Sequence, residues 1–162
     1  MGIDCYMSKG TAAALGLKSH RLHTVKSKQR IKFGAWTISF FELIHDALEP
    51  LGLAINYPGG RFLYITDTAY VPYRFKNITH LAIECNYCED LLLNSDLTAS
   101  VRKRILKTHL GLNGLLAFLK RNDLSKLQHI FVLHLSDAHS DKKRILAEVK
   151  GIVPTKTKIT IC

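Results

Sequence analysis

The chain has 162 residues, 47% of them hydrophobic, which suits one domain with a sizeable core and leaves too little for two independent ones. It has no apolar run of about 18 residues, its first residues lack the charged head and apolar centre of a signal peptide, and its cysteines (Cys5, Cys85, Cys88, Cys162) are too scattered for a disulfide scaffold. These features predict a cytoplasmic protein without a membrane span, and the formal net charge of +10 favours an anionic partner, nucleic acid first.

A short strand is expected at Asp4–Met7, then a helix at Lys9–Leu15 that Ser8 caps and Gly16 ends. Leu22–Val25, Gln29–Phe33, Thr37–His45, Leu51–Tyr57 and Arg61–Thr66 read as successive strands, rich in Val, Ile, Phe and Tyr. Asn56-Tyr57-Pro58-Gly59-Gly60 is a turn signal that makes the last two a hairpin. The residues after Asp67 should therefore lie beside the chain that leaves His45. Strand and helix then alternate. His80–Cys85 reads as a buried strand, Tyr87–Asn94 as helical, and Ala99–Leu106 and Leu112–Arg121 as helices on either side of His109. Leu112, Leu115, Leu116 and Leu119 form an apolar stripe at helical spacing. Ile130–Leu133 follows as a strand, Asp141–Val149 as a helix and Lys158–Ile161 as a final strand. The whole predicts an α/β (α+β) architecture with a sheet covered by helices.

Three segments carry the chemistry. The run Thr37–Ile44 leads to His45, Arg61–Thr66 leads to Asp67, and His129–Leu133 leads to His134. A binuclear metal centre needs imidazole nitrogens for each ion, a carboxylate to bridge them, and rigid strand ends to hold both. Each residue taken alone is more often a turn former or a satisfied polar group. Three with the same strand-then-ligand pattern point to a metal site at the sheet edge. Cys85-x-x-Cys88 has no second pair and is a weak zinc signal.

Basic residues concentrate in Lys18–Lys32, Val101–Lys107 and Lys142–Arg144. Such runs are either solvated faces or nucleic-acid contacts, and the lack of interleaved aromatics favours the phosphate backbone over the bases.

Taken in order, these motifs resemble the metallo-β-lactamase superfamily, in particular its phosphodiesterase and nuclease branch, which includes tRNA 3′-processing endonucleases. His45 in HDALEPLGLAI is similar to the family's histidine strand, and Asp67 in YITDTAYVP to its metal-bridging Asp-Thr motif. Glu84 in LAIECNYCEDLL resembles the strand-ending glutamate that orients a neighbouring histidine. His109 in LKTHLGLNGLLAFLK resembles the histidine that contacts the scissile phosphate or protonates the leaving group, and His134 in FVLHLSDAHSD the one completing the second metal position. The resemblance implies an αβ/βα sandwich. It implies a metal-dependent phosphodiester hydrolase with two zinc ions, or manganese, held in part by His45, Asp67 and His134, with Glu84 and His109 in catalytic roles.

The family's His-x-His-x-Asp-His cluster is absent from this sequence, and His139 stands where relatives often carry asparagine. The expectation is the C-terminal portion of the fold, with an incomplete metal site and a tendency to self-associate or to pair with a complementary N-terminal fragment. Its substrate would be nucleic acid or another phosphodiester. The alternative is a non-catalytic remnant that binds nucleic acid or a partner.

Overall fold

The computed structural model describes residues 2–162. In chain order its elements are β1 (Cys5–Ser8), α1 (Lys9–Ala14), β2 (Leu22–Val25), β3 (Arg30–Phe33), β4 (Trp36–Glu42), β5 (Leu51–Tyr57) and β6 (Gly60–Ile65). Then come β7 (His80–Glu84), α2 (Glu89–Leu93), α3 (Ala99–Thr108), α4 (Leu112–Arg121), β8 (His129–Leu133), α5 (Lys142–Lys150) and β9 (Lys158–Ile161).

The main sheet runs β3-β4-β5-β6-β7-β8-β9 in sequence order. Its first half is antiparallel and built from hairpins, including the predicted Tyr57↔Gly60 turn. From β6 onward the strands are parallel. Parallel neighbours need long crossovers, which α2, α3 and α4 supply between β7 and β8, and α5 between β8 and β9. As the most enclosed strand, β7 is apolar in succession, with Leu81, Ala82 and Ile83 all buried.

One sheet face carries the core. Leu63, Leu81 and Ile130 lie in one register row and Ile83 and Val132 in the next, all fully buried. Against them pack Leu112, Leu115, Phe118 and Leu119 of α4 and Ile145 and Val149 of α5. Phe118 takes the buried place expected of Leu116, which is only partly buried. On the other face, β1 and β2 form a separate two-stranded parallel sheet. With α1 they stand over Phe40, Leu51, Leu53 and Tyr64, around a cavity of about 230 Å³. The expected cover of helices thus holds for one face, while the second face meets a small sheet.

Local chemistry explains the smaller elements. The Ser8 hydroxyl accepts from the Thr11 N–H and so caps α1, as expected, and Gly16 takes φ +61° just past its end. The strand expected to reach His45 stops at Glu42, its last pairing being Glu42↔Leu51. Beyond it the Leu43 N–H still donates to the in-register Pro50 carbonyl, but Pro50 has no N–H to return and the Ile44 N–H turns to Thr68 Oγ1, so the ladder ends. The helix expected from Tyr87 begins at Glu89, because Tyr87 instead bridges to Gly111 in a strand-like pairing. None of the described helices is long and apolar enough to cross a membrane.

Candidate metal centre

Three parallel strands, β6, β7 and β8, end side by side, with Ile65 opposite Ile83 and Glu84 opposite Leu133. Their C-terminal ends deliver Asp67, Glu84 and His134 to one edge of the sheet, where open α/β sheets form crevices. A fourth residue arrives from the α3–α4 junction. There the Asn86 N–H donates to the Leu110 carbonyl and the Leu112 N–H to the Tyr87 carbonyl, pinning His109 against the end of β7.

The potential ligand atoms of Asp67, Glu84, His109 and His134 all lie within 4.8 Å of one another. Glu84 is the hub. Its side chain is fully buried, and Oε2 accepts from the Thr68 N–H at 3.0 Å and the Leu110 N–H at 3.3 Å. Its Oε1 lies 2.6 Å from His109 Nδ1 and 3.2 Å from His134 Nδ1. A buried carboxylate survives only with such donors around it. In return the Glu84 hydrogen bond raises the His109 pKa, against the opposing effect of burial.

Four ligands at zinc–nitrogen or zinc–oxygen bond lengths stand about 3.3 Å apart around a tetrahedral ion. His134 Nδ1 is 3.0 Å from Asp67 Oδ1, close to that spacing, whereas 2.6 Å between His109 and Glu84 is a hydrogen bond. The donor set suits a divalent ion, with Asp67 and His134 at ligand spacing and Glu84 engaged with His109. Asp67 (φ +54°) and His134 (φ +57°) both adopt the left-handed conformation, which costs a non-glycine residue about 1–2 kcal/mol. Both remain partly open to solvent, at 42% and 44% side-chain exposure.

His45 stands beside this group without joining it. Its ring meets that of His109 edge-on at 5.3 Å between centroids, and its Nδ1 accepts from the Ala47 N–H. The residues after Asp67, expected beside the chain that leaves His45, lie instead against the residue leading to it, through the Ala69 N–H to the Ile44 carbonyl. His139 lies in the loop after β8, where its Nδ1 is 3.2 Å from Ser136 Oγ and its carbonyl accepts from the Cys88 N–H. Cys85 and Cys88 are fully buried, desolvation pushes both thiols up, and neither belongs to the four-residue cluster.

Sequence reasoning missed three residues that position the site. Thr68 gives Glu84 its N–H while its hydroxyl accepts from Ile44 and donates to the Tyr70 carbonyl. Asn86 donates its side-chain amide to the His134 carbonyl at 3.0 Å. Gly111 has no room for a Cβ beside the Tyr87 ring. Lying within two positions of Asp67, Glu84 and His109 was the available signal for all three.

Comparison with known proteins agrees with this fold. Over 130 residues the chain is 28% identical to "Exodeoxyribonuclease YycJ" of Bacillus anthracis, covering 76% of this chain and 49% of that protein. It superposes on the metallo-β-lactamase fold protein YhfI from Bacillus subtilis with a TM-score of 0.65 at 15% identity, over 97% of this chain and 61% of the other. Zn(2+)-bound PqqB from Methylobacterium extorquens gives 0.64 at 14% identity, over 97% and 61%. The chain spans about half the length of the curated relative it matches. The sequence profile described as "Beta-lactamase superfamily domain" matches residues 5–127, and with the sheet-edge cluster on the same fold, the chain belongs to the metallo-β-lactamase superfamily.

Proposed function

We propose that this chain carries metal ligands of a metal-dependent phosphodiester hydrolase, and that nucleic acid is its substrate class. One observation carries the reading: Asp67, Glu84, His109 and His134 converge at the ends of three parallel strands, with both carboxylates in reach of both imidazoles. The similarity to an exodeoxyribonuclease and the net charge of +10 support the substrate class.

In this reading Asp67 and His134 hold the metal, with His45 completing the ligands this chain supplies. Zinc suits the mixed imidazole and carboxylate donors, and manganese is the alternative. A bound ion supplies the water activation and phosphoryl polarisation of such hydrolases. The chain's own residues do the rest. Glu84 keeps the His109 Nδ1–H engaged, orients the ring and favours its protonated form, so that Nε2 can give a proton to the leaving oxygen. Thr68 and Leu110 lock Glu84 in place, so the imidazole keeps its aim as charge develops.

Calorimetric titration with zinc and with manganese, beside metal-dependent hydrolysis of bis(p-nitrophenyl) phosphate and of oligonucleotides, tests the proposal. Asp67→Ala and His134→Ala are expected to lose metal binding and hydrolysis together. Turnover that persists in chelator would overturn it. The second reading is a non-catalytic remnant that binds nucleic acid or a complementary polypeptide, and the net charge of +10 favours it. Oligonucleotide binding without cleavage at any metal concentration would select that reading.

A further inference from the structure

Beside the metal cluster lies a second feature whose α3 side the hydrolase reading does not use. A cleft of about 400 Å³ opens between the loop after β4 and one face of α3, lined by His45, Asp46, Ser100, Lys103, Arg104 and Lys107. The α3 residues recur at positions i, i+3, i+4 and i+7, so they share one side of the helix. That volume falls in the range of ligand clefts.

The charges in the cleft are unequally engaged. Arg104 Nε donates to Asp46 Oδ2 at 2.8 Å, which ties α3 to the loop and neutralises the carboxylate that lines the cleft. Lys103 and Lys107 have no carboxylate in ion-pair distance among the described residues, and both are exposed. The cleft therefore carries about two uncompensated positive charges. Its inner end is His45, whose ring touches His109 of the cluster. No Phe, Tyr or Trp lines it, and the one ring there, His45, is packed edge-on against His109, so the cleft offers no broad stacking surface to a base.

We propose that this cleft is a subsite for the phosphate backbone of a nucleic-acid strand, holding a non-reacting phosphate next to the one at the metal cluster. The inference rests on the hydrolase reading for its orientation and deepens it. A small phosphodiester places its single charge at the cluster and has nothing for Lys103 and Lys107 to meet, whereas a polynucleotide carries a second phosphate into the cleft. Contacts of this kind fix the position of a strand and carry no sequence preference.

The test is fluorescence anisotropy of a labelled oligothymidylate across a salt series, in chelator, so that neither metal nor turnover enters the result. Lys103→Glu/Lys107→Glu is expected to weaken binding about tenfold or more and to lower the salt slope by about 1.4, the share of two single-strand phosphate contacts. Lys126→Glu/Lys156→Glu makes the same change of net charge around a cavity at the other end of the strands and should cost less than about twofold. Lys103→Gln/Lys107→Gln should lie between, and thermal melts like the wild type show that each variant is folded. Equal losses in both Glu pairs, an unchanged Lys103/Lys107 pair, or no binding by the wild type overturns the subsite. Selective loss in a chain that hydrolyses nothing keeps the subsite and removes the hydrolase reading. Metal-dependent hydrolysis with unaltered binding by the α3 variants does the reverse.

Discussion

Glu84 sets the character of the site, because one buried carboxylate answers two backbone N–H groups and two imidazoles. Glu84→Gln preserves the shape and removes the symmetry. An amide has one oxygen, so either Thr68 and Leu110 lose their acceptor or His109 meets an N–H in place of a carboxylate. Leaving buried donors unsatisfied costs about 1–3 kcal/mol. The pH dependence follows from His109, whose folded pKa is raised by Glu84 above the ordinary 6.5. Stability from a raised imidazole is fully present below the unfolded value and is lost as pH rises through the folded one. Glu84→Gln should therefore destabilise more in acid, below the ordinary imidazole value, than in mild alkali. Urea unfolding on either side of that range measures it, and an equal loss at both would sink the assignment. Proton NMR titration of His109 should show its pKa falling in the same variant.

At the scale of elements, α4 depends on what precedes it. Gly111 is its N-cap, pairs with Tyr87, and lies where any Cβ would meet the Tyr87 ring and the Glu89 carboxylate. Gly111→Ala must push the strand-like segment away from α4 and move His109 with it. Overpacking of this kind costs about 1–3 kcal/mol, and circular dichroism melts should show it together with weakened metal binding. A melting temperature equal to the wild type's would remove the close approach from the argument. Much of this level was legible in the sequence. The Asn56–Gly60 turn, the α4 stripe and the runs leading to Asp67 and His134 obey local rules of period and turn chemistry. The end of β4 was only partly legible: Pro50 stops the ladder by local chemistry, whereas Ile44 continues the apolar run and is drawn off by a distant partner, Thr68. His45 also lies outside the four-residue group, its Nδ1 accepting from the Ala47 N–H in a tight local turn that leaves only Nε2 free. The cleft on α3 needed the Arg104–Asp46 pairing, which joins residues far apart in the chain.

The whole molecule concentrates its ionisable core at one place, the exit of β7, and this shapes its stability against pH. Cys85, Tyr87 and Cys88 follow Glu84 into the buried interior. Desolvation raises the Cys85 thiol far above its ordinary value of 9.0 and pushes the Tyr87 hydroxyl up to about 12. These are acids that stay protonated in the folded chain and ionise in the unfolded one. Above the unfolded thiol value the unfolded state binds fewer protons, so stability falls as pH rises. Each such group contributes a slope of about 1.4 kcal/mol per pH unit, beginning near the thiol value for Cys85 and near 10 for Tyr87. Deprotonation of surface lysines works in the opposite direction, because it relieves the self-repulsion of a chain with net charge +10. Urea unfolding across mild alkali should show a net decline. Cys85→Ala separates the two effects, since it removes the thiol and leaves the surface charge unchanged. That variant should start less stable, from the small cavity it leaves, and decline less steeply than the wild type above the thiol range. Parallel curves would mean that surface charge, and not the buried β7 exit, governs the alkaline limit.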